Sequence, residues 1–133
     1  MDRWPDVLGT AGGSIDVTRP IDAPAEDVWK LLVDTRYWPE WGPSITDVEC
    51  RDREIRTGLT GRVRLVGGIR VPFEVTYRDA YRWTWAVAGI PATGHRVEPL
   101  NGSCRAVFEV PLLAAGYVPV CRLALSRIAD LAE

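Results

Sequence analysis

From Ser14 to Ile21 the chain alternates Ile15, Val17, Arg19 and Ile21 with Asp16, Thr18 and Pro20, the period of two expected of a strand. The period then lengthens. Between Pro24 and Asp34, Val28, Trp29, Leu31, Leu32 and Val33 gather on one face of a 3.6-residue wheel. Glu26, Asp27, Lys30 and Asp34 take the other, so a helix is predicted there. Pro24 suits a first helical position, and Glu26 in the first turn suits the helix dipole. Trp38 and Trp41, three apart, mark a short second helical turn that Gly42-Pro43 stops.

After Pro43 the period of two returns. Strands are predicted near 45–52, 61–66, 70–78, 81–88, 93–99 and 103–112. Turn signals separate them at Thr57-Gly58, Gly67-Gly68, Arg78-Asp79, Gly89-Ile90-Pro91 and Asn101-Gly102. Asn101-Gly102 predicts a type I′ hairpin, whose two central residues need positive φ. Connections this short imply antiparallel neighbours, because parallel strands need long crossovers.

Tyr117 to Glu133 is helical again, with Val120, Cys121, Ala124, Leu125, Ile128, Leu131 and Ala132 on a wide apolar arc and Arg122, Ser126, Asp130 and Glu133 opposite. So wide an arc needs a large apolar partner, and the meander is the candidate. The order of strand, two short helices, six strands and long helix predicts an α+β domain with its helices on one face of the sheet.

Strand parity assigns the faces. Val71, Phe73, Val75 and Tyr77 share one side of their strand, against Arg70, Glu74, Thr76 and Arg78. Trp83, Trp85 and Val87 fall together in the next, then Thr93, His95 and Val97, then Cys104, Ala106 and Phe108. Val63 and Leu65 have the same parity ahead of them, with Arg62 and Arg64 opposite. Charges collect on one face, as in a sheet with one solvated side. Arg19 shares the parity of Val17 and Ile21 and is a weak candidate to point inward.

Composition narrows the classes. At 133 residues, 47% hydrophobic and 26% charged, the chain fits one globular domain with a continuous core. A net charge of −2 gives no bulk case for nucleic acid. No stretch reads as the 18–20 apolar residues of a membrane span, so no stable membrane insertion is expected. Met1-Asp2-Arg3-Trp4-Pro5-Asp6 lacks the apolar run of a signal peptide. Cys50, Cys104 and Cys121 are odd in number and far apart, which predicts neither a disulfide framework nor a zinc site and suggests a cytoplasmic setting. Residues 1–13, ending in Gly9-Thr10-Ala11-Gly12-Gly13, read as an N-terminal extension over the surface, ahead of a domain at 14–133.

The run from Ile21 through Ala23-Pro24, Glu26 and Val28-Trp29 to Asp34, followed by Trp38-Pro39-Glu40-Trp41, resembles the START-like superfamily, specifically its polyketide cyclase/dehydrase and lipid-transport branch. The later strands are compatible with that family, and the likeness spans about residues 14 to 133. The resemblance implies a helix-grip fold: a seven-stranded antiparallel sheet curled around the C-terminal helix, with a cavity between them. It does not choose among the functions the superfamily houses.

Two readings of function follow. One is a carrier of a small hydrophobic molecule such as a lipid, polyketide or isoprenoid. It is lined on the inward face by Leu65, Phe73, Val75, Tyr77, Trp83, Trp85, His95 and Phe108, on the helix by Ala124 and Ile128, and at the mouth by Trp38 and Trp41. The other is a polyketide cyclase or dehydratase, with His95 as general acid or base and Tyr77 orienting a ketone oxygen. A filled interior serving an interaction module is the blander third possibility. No metal-ligand spacing, nucleophile motif or phosphate loop is present, so no cofactor is implied. A monomer or weak homodimer is expected.

Overall fold

A computed structural model describes residues 13–133. The reading of the N-terminal extension, Trp4 included, lies outside these residues except at Gly13. The helices are α1 (Ala25–Val33), α2 (Trp38–Trp41) and α3 (Val118–Ala132). The strands are β1 (Ser14–Ile21), β2 (Ile45–Cys50), β3 (Thr60–Leu65), β4 (Arg70–Asp79), β5 (Arg82–Val87), β6 (Ile90–Pro99) and β7 (Cys104–Pro111). A 3-10 turn at Thr35–Tyr37 leads into α2, and a six-residue 3-10 segment at Leu112–Tyr117, kinked at Ala114, leads into α3.

The seven strands form one antiparallel sheet in the order β1-β7-β6-β5-β4-β3-β2, so the meander from β2 to β7 ends beside β1. The sheet grips α3, which buries Cys121, Ala124, Leu125, Ile128 and Ala129. This is the helix-grip arrangement. Leu131, placed on the apolar arc by periodicity, is instead 44% exposed, while the next residue, Ala132, packs against the core.

The helical run Leu112–Ala132 reaches 21 residues and includes an 18-residue stretch of mean hydropathy 1.4, so by length and composition alone it is long and apolar enough to cross a membrane. That corrects the expectation that no stretch approaches this length. The 3-10 turn, which prolongs the helix upstream, makes the difference.

Two turns differ from the sequence reading. Asn101-Gly102 has positive φ only at Gly102, so the type I′ pattern is absent there. It forms instead at Ala88-Gly89, with φ of 54° and 77°, between the paired residues Val87 and Ile90. β6 therefore starts at Ile90, inside the segment read as a turn.

Irregularities in pairing decide which residues face inward. Val75 opposes Trp85 but Tyr77 opposes Thr84, leaving Thr76 as an extra residue in β4. A bulge of this kind reverses the parity of everything after it. Tyr77 turns outward, 43% exposed, and donates to Asp79 Oδ2 at 2.7 Å. Arg78 turns inward instead, where Nη1 reaches Glu54 Oε2 at 2.9 Å and its guanidinium lies 5.6 Å from the Trp29 ring. Arg19 is exposed.

Candidate functional site

The site is built outward from the end of α1. The last four carbonyls of a helix lack partners within it, and here each finds a donor. Asp34 N–H serves Lys30 at 3.1 Å, and Ile55 N–H serves Val33 at 2.9 Å. Trp41 Nε1–H serves Leu31 at 2.7 Å, and Trp38 Nε1–H serves Leu32 at 2.9 Å. The Trp-Pro-Glu-Trp turn is therefore a side-chain cap for α1, and it fixes where the following loop leaves. At Gly42 a Cβ would lie 2.9 Å from the Trp38 carbonyl oxygen and 3.1 Å from Ile45 Cδ1, so the chain turns there without a side chain.

The tryptophans do not line an open chamber. Trp38 and Trp83 are fully buried and stack at 5.2 Å with an interplanar angle of 1°. Phe73 sits 5.6 Å from Trp38, and His95 also stacks on Trp83, at 4.0 Å. Phe108 meets His95 edge-on at 4.7 Å. These rings, with the buried Val75 and Ile128, fill most of the space between sheet and helix.

Among the described residues a narrow cleft of about 40 Å³ stays open at the edge of this packing, lined by Trp41–Ile45 on one side, Tyr117, Val120, Cys121 and Ala124 on the second, and Trp85, Thr93, His95 and Phe108 on the sheet. A water molecule needs roughly 10–15 Å³ by this measure, so the cleft as it stands holds a few waters or the slender end of a larger molecule. Ser44 Oγ and Tyr117 OH, 73 residues apart in sequence, share a hydrogen bond of 3.0 Å. It fastens the loop after α2 to the start of α3.

The polar groups at the base form a chain. Trp85 Nε1–H donates to Thr93 Oγ1 at 3.2 Å, and Thr93 Oγ1 lies 2.8 Å from His95 Nε2. Nδ1 of His95 has no hydrogen-bond partner. The arrangement that wastes fewest groups puts the imidazole proton on Nδ1 and lets the Thr93 hydroxyl donate to Nε2, since the other tautomer would leave both the Nδ1 lone pair and the hydroxyl proton unmet. Desolvation lowers the His95 pKa to about 3, against a partial rise from the Trp83 backbone. The ring is neutral near pH 7 and a weak base.

The structure thus gathers five of the residues singled out from sequence, Trp41, Trp85, His95, Phe108 and Ala124, around one cleft. Trp38, Leu65, Phe73, Val75, Trp83 and Ile128 lie outside its lining, in or against the packed core. Tyr77 is on the far side of the sheet, and with it goes the proposed partner of His95. Thr93, which parity places on the inward face with His95, joins the lining and bonds to that histidine. Ser44, Ile45, Tyr117, Val120 and Cys121 were missed as lining. The usable signal was helical spacing, since Tyr117, Val120 and Cys121 precede Ala124 by seven, four and three positions. Among the described residues, no group of three or more His, Cys, Asp or Glu side chains could hold a metal ion.

A family profile described as "Polyketide cyclase / dehydrase and lipid transport" matches residues 13–132. An uncharacterised protein of Mycobacterium tuberculosis is 29% identical over 119 residues, covering 77% of this chain and 71% of the relative. Among solved structures, a protein from Chromobacterium violaceum superposes with a TM-score of 0.66 at 19% identity, covering 90% of this chain and 96% of the other. DynU16, from the dynemicin biosynthetic locus, superposes at 0.67 with 18% identity, covering 88% of this chain and 46% of the other.

Proposed function

The chain belongs to the polyketide cyclase/dehydrase and lipid-transport family, and on that premise we propose that it binds a small hydrophobic molecule in the cleft between α3, the loop after α2 and the sheet. The observation that carries this reading is the make-up of the cleft wall. Aromatic and aliphatic side chains supply most of it, and a hydrogen-bonded Thr93–His95 pair sits at its base. Apolar walls with a few placed polar groups are the usual composition of a small-molecule site.

The present volume is below the roughly 300–1,000 Å³ of most such sites, so binding requires the mouth to widen. The Ser44–Tyr117 bond is solvent-exposed, and releasing one such bond costs about 1 kcal/mol. Ligand uptake by parting the α2 loop from the start of α3 is energetically modest.

Titration with Nile red, an uncharged apolar dye, tests the reading. We expect saturable one-to-one binding that Val120→Trp abolishes by filling the cleft, while the circular dichroism spectrum and melting temperature stay near those of the parent. No saturable binding, or binding indifferent to Val120→Trp, would count against the cleft as the site.

A further inference from the structure

The cleft wall contains no Asp, Glu, Lys or Arg. Arg82 and Arg96, which share the β5–β7 region, lie on the outer face of the sheet and are each bound to Glu109 at 2.8 Å. Gly94 makes room for that carboxylate, since a Cβ there would lie 2.5 Å from Glu109 Oε1. The only base within the wall is the buried imidazole of His95, and burial disfavours its cationic form. An ionised ligand group at the base of the cleft would be stripped of water with no counter-charge to meet it.

The hydrogen-bond inventory goes further. A threonine hydroxyl has one proton to give and two lone pairs to receive. With the imidazole proton on Nδ1, as the pairing of groups favours, the Thr93 proton goes to His95 Nε2, and one lone pair takes the Trp85 indole N–H. One lone pair remains, so the unfilled demand is for a donor. A ketone or ester oxygen brings only acceptors and leaves that lone pair unmet. A hydroxyl meets it.

We infer that the cleft selects an uncharged apolar alcohol or phenol, entering hydroxyl first, with Thr93 as the residue that reads the hydroxyl. The inference rests on the binding reading above and specifies its ligand class. Mismatched polar groups are rejected more sharply than mismatched apolar ones, because a buried partner is left unpaired. Thr93 is thereby a specificity-determining residue, and Trp85 and His95 act through it by holding the hydroxyl in one orientation.

Displacement of Nile red at pH 7 by 1-dodecanol, methyl dodecanoate and dodecanoic acid tests this. Dodecanol is expected to displace the dye at concentrations about fivefold to tenfold below the ester, the worth of one hydrogen bond. The acid is expected to need at least about tenfold more than the alcohol. Thr93→Val should bring the alcohol down to the affinity of the ester, and Thr93→Ser should keep the preference. The serine variant also distinguishes recognition from a damaged fold. Equal displacement by alcohol and acid, or an alcohol preference that survives Thr93→Val, overturns the hydroxyl selection alone. Failure of Nile red and all three compounds to bind overturns the binding reading and this inference with it.

Discussion

Moving the protein from pH 7 to pH 5 should cost about 2 kcal/mol of stability through His95 alone. In the unfolded chain this imidazole titrates near 6.5. In the folded chain burial holds its pKa at about 3. Between those values the unfolded state binds the extra proton and the native state does not, so stability falls as pH falls. Each pH unit well below 6.5 contributes about 1.4 kcal/mol, and the first half-unit contributes less, which gives the total at pH 5. The figure is nearly the same for any folded pKa below about 4.

The chain makes this effect unusually easy to isolate, because it contains a single histidine. The native carboxylates that deviate, Glu49, Glu98 and Glu109, have pKa values lowered in the fold. For Glu109, burial pushes the carboxyl up, but bonding to Arg82 and Arg96 outweighs it. Stability from lowered carboxylates is present above their unfolded pKa near 4.5 and is lost below it, so it changes little between pH 7 and 5. Urea unfolding at pH 7, 6 and 5 should show the parent losing about 2 kcal/mol more than His95→Gln over that interval. The glutamine lacks a titrating group, whatever its own stability at pH 7. Parallel pH profiles for the two proteins would refute the buried neutral imidazole.

Two other substitutions test the packing that places the cleft. Trp38→Phe leaves the Leu32 carbonyl without its 2.9 Å donor and removes ring volume from a fully buried position. A loss of about 2–4 kcal/mol in urea unfolding is expected, and a loss under about 1 kcal/mol would mean the indole does not cap α1. Gly61→Ala would set a Cβ 2.5 Å from the Glu49 carbonyl oxygen, 2.7 Å from Cys50 Cβ and 2.9 Å from Phe73 Cε2. Two of those atoms are backbone or rigidly held, so β3 has to shift, and thermal unfolding should report about 1–3 kcal/mol or more of destabilisation.

The fold was legible in the sequence because its signals are periodic and long. The switch from period two to 3.6 and back located every strand and helix, and parity put Val63, Phe73, Val75, Trp83, His95, Val97, Ala106 and Phe108 inside, where all are buried. Parity fails where the chain inserts a residue. Nothing in Val75-Thr76-Tyr77 announces the extra residue, yet it moves Tyr77 to the outside and Arg78 toward Trp29. Ile55 and Leu59 escaped for a different reason. They lie in a charged loop without periodicity; Ile55 is held inside where that loop pairs with the end of α1 through Thr35 and Val33, and Leu59 where its carbonyl accepts from Val75 N–H on β4.

The site was the less legible part, since a cavity is what packing leaves over. A row of inward aromatic residues is equally compatible with a lined chamber and with rings stacked on one another. The choice is made by the parallel stacking of Trp38 on Trp83 and by the way the two indoles of α2 reach back to α1. Those contacts draw the rings together and push the remaining space to the edge of the core, beside Thr93. What the sequence does contain is the chemistry of that edge. The one histidine stands two residues after a threonine on a strand that pairs with the Trp83–Trp85 strand, so the two polar groups most able to orient a ligand must meet on the same face. Once β6 is in register, neutrality follows from burial and hydroxyl selection from the count of lone pairs.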